Sequence, residues 1–360
     1  MQTPIPVTVL VGFLGSGKTT LLNRILTQAE RQFAVIVNDF AELSIDAKLV
    51  SRREEQLIEL SNGCICCTLR ADLLEELERL SDMPDIDYIL VESTGLGEPL
   101  PIAQTFYMDD LQRRVRLDNL VSVIDAANFW RYYASEAPDE NNPSETIALA
   151  PLLVDQIEFA NTVVLNKVDL ADPDAVNALE ALARQLNPSA RILRAQYGNV
   201  PLSELLDTQR YDYEQGFEHP DWEEEWHKTG SESEEYGFSS FVYRADRPFV
   251  WERFEAMLHQ WHPSIVRCKG LAVFADHEPV ILQQAGAHVA LDILDFSDEP
   301  SDAPLLPNPA DEEAFEGCFI NPITQYGDAD PDALTTELVF IGQNMPEAIL
   351  RQQLDACLID

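Results

Sequence analysis

The sequence predicts an α/β protein with a mostly parallel sheet, followed by a smaller C-terminal α+β domain. Three observations predict it. Short, continuous apolar runs alternate with helical patterns over the first 210 residues or so. A glycine-rich phosphate-binding pattern lies between the first such run and the first helix. A polar, acidic stretch then separates this region from a second, differently patterned unit.

The apolar runs are VTVLV (7–11), FAVIV (33–37), DYILVES (87–93), LVSVIDA (120–126), TVVLNKVD (162–169) and ARILRA (190–195). Strands that are apolar throughout, rather than alternating, belong to a sheet covered on both faces. Residues 1–210 are therefore expected to form one doubly covered domain. Residues 211–236, with EEEW and SESEE, read as an acidic, exposed linker. The second domain, 237–360, shows a strand (SSFVYRA), a helix (WERFEAMLHQW) and strands around GLAVFAD and HVALDIL. An acidic, proline-containing segment (298–313) follows, then TELVFIG and the closing helix EAILRQQLDACL.

Gly12-Phe-Leu-Gly15-Ser16-Gly17-Lys18-Thr19-Thr20 carries the pattern G-x-x-x-x-G-K-[ST] in the strand-to-helix context it requires. Its glycines let backbone N–H groups turn onto phosphate oxygens, and the following helix adds its positive end. This defines the first domain as a P-loop NTPase. Lys18 is expected to bridge the β- and γ-phosphates and Thr19 to ligate Mg²⁺.

Asn166-Lys167-Val168-Asp169 closes a strand, where Asp169 can accept from both guanine N1–H and the exocyclic amine. Adenine lacks that pair of donors, so the expected nucleotide is GTP. Glu92, at the end of DYILV, is placed to hold Mg²⁺ through water or to orient the attacking water, and the Gly95 N–H to sense the γ-phosphate. No arginine stands out as a finger, so turnover is expected to be slow without a partner or metal.

Cys64, Cys66 and Cys67 fall within four residues of one another after Gly63 and before a helical pattern. Three thiolates at this spacing can converge on one cation, and a helix N-terminus favours the thiolate form. They leave one tetrahedral position open, as suits exchange rather than a closed structural site. Asp39 or Glu42 is a candidate transient fourth ligand. Zinc, Cu(I), cobalt and nickel all accept such donors, with cytosolic abundance favouring zinc. Oxidation of near-vicinal thiols is the alternative reading.

Cys268, Cys318 and Cys357 stand alone and read as core residues; Arg267-Cys268-Lys269-Gly270 reads as a turn. His259 and His262, beside Trp251 and Trp261, read as packing residues, and His219 and His227 as part of a solvated acidic linker.

Composition sets outer bounds. The chain is 46% hydrophobic and 24% charged, an ordinary globular profile. No apolar run approaches the roughly 20 residues needed to cross a bilayer. Lys+Arg 24 against Asp+Glu 63 leaves a net charge of −39, which repels nucleic acid and anionic lipid. A cytoplasmic location is the default expectation.

GFLGSGKTTLLN, NGCICCTLR, ESTGLGEP, QIEFANTVVLNKVDL and TELVFIG…LDACL together resemble the CobW family of GTPases, a metallochaperone group that includes zinc-transfer proteins. The resemblance covers nearly the whole chain. It implies GTP hydrolysis coupled to holding zinc at Cys64, Cys66 and Cys67 and passing it to a client apo-metalloprotein, with Asn166, Lys167 and Asp169 on the guanine. The first switch departs from the family pattern: NDFAELSID stands in place of NEFGEVGID, with Ala41 and Ser44 for two glycines. Two other roles fit the same residues: maturation of a cobalt or nickel enzyme, and a nucleotide-binding switch whose thiols sense oxidation.

Overall fold

The computed structural model describes residues 4–29, 31–37, 56–59, 68–83, 86–106, 109–138, 146–211, 237–295, 318–325 and 334–359. These fall into two compact units, Met1–Gly230 and Ser231–Asp360.

In the first unit the elements run β1 (Ile5–Val11), α1 (Lys18–Gln28), β2 (Phe33–Val37), β3 (Gln56–Glu59), α2 (Thr68–Ser81), β4 (Tyr88–Glu92), α3 (Pro99–Thr105) and α4 (Asp109–Gln112). They continue as β5 (Val115–Asp125), α5 (Phe129–Tyr133), β6 (Glu136–Pro138), β7 (Thr146–Ala148), α6 (Leu149–Glu158), β8 (Thr162–Asn166), α7 (Pro173–Leu186) and β9 (Arg191–Arg194). Seven strands form one parallel sheet in the order β3-β2-β4-β1-β5-β8-β9. The strand β3 is an addition to the runs recognisable in the sequence; its four residues carry little apolar signal.

The central strands β2, β4 and β8 are buried at every position, as sheets covered on both sides require. The two faces of β1 go to different cores. Val7, Val9 and Val11 pack with Leu73, Leu77 and Leu80 of α2 and with Phe106. Leu10 packs with Leu21, Leu22 and Ile25 of α1. This is the period-two alternation of a strand feeding two helical layers. The edge strand β9 keeps Arg191 and Arg194 exposed, so the strand is apolar only in its middle. The helix α7 shows how local sequence sets a boundary. Asp172 caps it by accepting from the Asp174 N–H at 2.9 Å, and Pro173 occupies the first turn.

The second unit runs β10 (Phe238–Ala245), α8 (Trp251–Leu258), β11 (Ile265–Ala272), β12 (Val280–Ala285), β13 (His288–Asp295), β14 (Cys318–Gln325), β15 (Thr336–Gln343) and α9 (Glu347–Cys357). Its sheet, β10-β15-β11-β12-β13-β14, is antiparallel except for the β13–β14 pair. Phe249, Phe254, Leu258, Phe340, Leu350 and Leu354 form a core between sheet and helices. Phe241 stacks on Phe340 at 4.8 Å and Phe249 on Phe254 at 4.9 Å. The α+β expectation holds.

One expectation fails. Arg267–Gly270 is not a turn but the middle of β11, paired to β12 on one side and to β15 on the other. Its charged residues and glycine suggest a loop, but Cys268 is fully buried and Arg267 nearly so. Two flanking strands satisfy the backbone and override the local polarity.

Candidate functional site

The central strand β1 has β4 on one side and β5 on the other, so the sheet changes direction there. Ligands of open α/β sheets bind at such a switch point, beyond the carboxyl ends of the strands. The phosphate loop leaves β1 at that point.

Gly12, Gly15 and Gly17 have φ of 140°, 72° and 107°. Gly12 and Gly17 are the strict cases, a Cβ at Gly12 falling 2.2 Å from the Val123 carbonyl oxygen. A Cβ at Gly17 would lie 2.3 Å from Asn166 Nδ2. Ser16 N donates to the Phe13 carbonyl at 3.1 Å, closing the loop. Lys18 is buried, with Nζ donating to the carbonyls of Gly12 at 2.7 Å and Phe13 at 3.4 Å. Ser16 is fully buried, yet its Oγ has no hydrogen-bond partner among the described residues. An orphaned hydroxyl and a folded-back ammonium at a helix N-terminus are what an anion cradle presents. Thr20 lies in the first turn of α1 with its side chain exposed.

Beside it, Thr19 Oγ1 donates to Glu92 Oε1 at 2.7 Å. Glu92 ends β4 and is largely buried. A hydroxyl and a carboxylate oxygen, both hard and adjacent to the phosphate loop, fit Mg²⁺. Gly95 follows. A Cβ there would come within 2.4 Å of Leu14 Cγ and 2.8 Å of Leu14 N, so the approach of the two loops requires glycine.

The Asn166–Asp169 segment closes the other side. Asn166 ends β8; its Nδ2 donates to the Ser16 carbonyl at 2.9 Å, and its Oδ1 accepts from Gly198 N at 3.0 Å. Lys167, at φ 61°, sends Nζ to the Gly15 carbonyl at 2.6 Å and to Asp125 Oδ2 at 2.8 Å. Asp169 is exposed in the 3₁₀ turn that follows, free of the sheet edge. Thus Asn166 and Lys167 each bind a phosphate-loop carbonyl. Segments some 150 residues apart in sequence form one continuous site.

Two contributors escape sequence reasoning. Asp125 is one, and the Ala195–Gly198 loop, held by Gly198 to Asn166 and by Ala195 to Val168 N, is the other. An aspartate at the end of an apolar strand was the available signal for the first. The second carries none.

The predicted metal residues Cys64, Cys66, Cys67, Asp39 and Glu42 lie outside the described residues, as do His219 and His227. What flanks them is described: β2 ends at Val37, β3 at Glu59, and α2 begins at Thr68. Burial raises the Cys268 thiol well above its ordinary range and the Cys357 thiol to about 11. Both are buried in the second unit, so they act as apolar packing rather than thiolates. His262 accepts from Ser264 N through Nδ1 at 3.2 Å, a local structural role.

Fold and loop geometry define a nucleotide-binding α/β protein of the P-loop class. Residues 6–194 match the CobW/HypB/UreG nucleotide-binding domain and residues 238–358 the cobalamin synthesis protein cobW C-terminal domain. The chain belongs to the CobW family. It is 37% identical, over 99% of its length and 80% of the relative's, to the zinc-regulated GTPase metalloprotein activator 1 of Dictyostelium discoideum. It is 35% identical to the zinc chaperone CobW of Pseudomonas aeruginosa over 56% of this chain and 59% of that one. A zinc chaperone CobW of Sinorhizobium sp. is 29% identical over 80% of this chain and 87% of its own length. No helix among the described residues is long and apolar enough to cross a membrane.

Proposed function

We propose that this chain hydrolyses GTP and uses the nucleotide cycle to hold zinc at Cys64, Cys66 and Cys67 and release it to a client apo-metalloprotein. The cytoplasm is the proposed place of action. The relatives' names speak of zinc, which favours it over cobalt or nickel as the cargo.

Each residue has a role in this reading. Backbone N–H groups from Gly12 to Thr20 cradle the phosphates, and Lys18 turns from its carbonyl partners to the β- and γ-phosphate oxygens. Thr19 and Glu92 would hold Mg²⁺, which would supply positive charge to offset that of the phosphates. Glu92 also orients a water molecule whose oxygen attacks the γ-phosphorus as the bond to the β–γ bridging oxygen breaks. The products are GDP and phosphate. Gly95 N–H faces the γ-phosphate and registers its departure. Asn166 and Lys167 fix the phosphate loop against the base-reading turn, and Asp169 accepts from guanine.

The observation that carries the reading is a register. Leu10 pairs with Glu92, Glu92 with Val37, and Val37 with Glu59. The strands that precede the phosphate loop, the first switch and the cysteine segment therefore end level at one sheet edge, together with the strand that carries Glu92. Nucleotide and cargo then share neighbouring connections. Asp39 and Glu42, following β2, are the proposed transient ligands at the open zinc position.

The test is zinc content and GTP turnover of the wild-type chain and of a C64S/C66S/C67S variant. About one zinc per wild-type chain, lost in the variant, is the expected result. Equal zinc uptake by both would remove the cysteine site, and absence of GTP turnover would remove the hydrolase.

A further inference from the structure

We infer that Asp125 is a positioning residue for guanine-nucleotide binding: it fixes the Lys167 ammonium against the phosphate loop without touching the nucleotide. The inference rests on the guanine reading above.

Asp125 ends β5 and pairs in register with Asn166, the first residue of the base-reading segment. Its side chain is only 4% exposed. Oδ1 accepts from Ala127 N at 3.0 Å and Asn128 N at 3.1 Å. Oδ2 accepts from Asn128 Nδ2 at 2.9 Å and from Lys167 Nζ at 2.8 Å. Three of these four donors come from the turn directly after the strand. The carboxylate is therefore held by its own local turn, through two backbone N–H groups and the Asn128 amide, whether or not Lys167 is present.

Lys167 needs that fixed partner. Its backbone is left-handed at φ 61°, and its long, flexible side chain has rotamer freedom to lose. Its ammonium sits 2.6 Å from the Gly15 carbonyl, close to the N-terminal end of α1, where the helix dipole disfavours a cation. A buried carboxylate at 2.8 Å offsets that repulsion and gives the ammonium one geometry. The loop carbonyl at Gly15 is then held in place, and so are the N–H groups that alternate with it.

The experiment compares equilibrium binding of fluorescent GDP and ADP analogues by wild type, D125N, K167M and D125N/K167M, with KM and kcat for GTP alongside. D125N is expected to weaken GDP binding by about tenfold or more and to raise KM by more than it lowers kcat. Guanosine and inosine diphosphates should weaken by the same factor, because the base amine is read by Asp169. On the K167M background, D125N should change affinity by less than about twofold. Additive losses in the double variant, or unchanged GDP affinity in D125N, would overturn the inference. If D125N does not fold, N128A removes one carboxylate donor and is expected to weaken GDP binding about two- to threefold; no change would count against the inference equally. Wild-type protein that binds the ADP analogue as tightly as GDP would sink the guanine reading instead, which keeps the two failures distinct.

Discussion

Asn166 Nδ2 donates a 2.9 Å hydrogen bond to the carbonyl of Ser16, and Asn166 Oδ1 accepts from Gly198 N at 3.0 Å. One buried side chain thus joins the phosphate loop, the end of β8 and the loop after β9. Replacing it strands the Ser16 carbonyl and the Gly198 N–H, which have no other hydrogen-bond partner among the described residues. N166A is expected to destabilise the fold by about 2 kcal/mol and to weaken GDP binding by tenfold or more. Thermal unfolding and nucleotide titration measure the two effects. Loss of stability without loss of affinity would show that the link is only structural.

Gly95 and Leu14 touch where the phosphate loop meets the segment after Glu92. A methyl group at Gly95 would overlap both the Leu14 side chain, at 2.4 Å, and its backbone nitrogen, at 2.8 Å. G95A is therefore expected to reduce kcat for GTP by about tenfold or more. L14A removes the side-chain overlap but not the backbone one, so G95A/L14A should recover part of the loss. A double variant no better than G95A would exclude this contact as the cause.

Asp118 supplies a pH dependence. It is the extra residue of a bulge in β5, where pairing with β1 shifts between Val7 and Thr8. Burial alone would raise its pKa, but the N–H of Gln209, the Tyr88 hydroxyl, the Arg116 guanidinium and the N–H of Thr208 outweigh burial and lower it. The folded value lies below the unfolded one, so the stabilisation is present above the ordinary aspartate range and is lost as pH falls below that range through the depressed folded value. D118N is expected to cost about 2 kcal/mol at neutral pH. The gap to wild type should begin to narrow near about pH 5 and go on narrowing below the ordinary aspartate value of about 4. Urea unfolding across that range checks the sign, and a constant gap would refute it.

Zinc and nucleotide should report on each other. If the cysteine segment and the phosphate loop share neighbouring connections, a GTP analogue and GDP will give different zinc affinities. Linkage then requires zinc to change the affinity ratio of the two nucleotides by the same factor. Competition titrations with a zinc chelator, each done with both nucleotides, measure the two sides of that cycle. Equal zinc affinity in both states would end the coupling proposal.

The doubly covered sheet and both nucleotide motifs were legible in the sequence because each is local. A continuous apolar strand, a glycine-rich turn and a capped helix are set by residues within a few positions of one another. The α+β character of the second unit was legible for the same reason. Its strand β12 was not, because VILQQA carries two adjacent glutamines near its end that look solvent-facing, whereas Gln284 is fully buried.

The sequence by itself singled out the residues proposed to carry the chemistry: Lys18 and Thr19, Glu92, and Asn166 to Asp169. The tertiary structure alone decided what holds them. The Asp125 carboxylate at Lys167, the Asn166 bridge to Ser16, the glycine required at position 95 and the conversion of Arg267–Gly270 from apparent turn to central strand all depend on partners distant in the chain. Periodicity and propensity read only neighbouring residues, whereas these contacts form when parallel strands end level at one sheet edge, or when two strands flank a third.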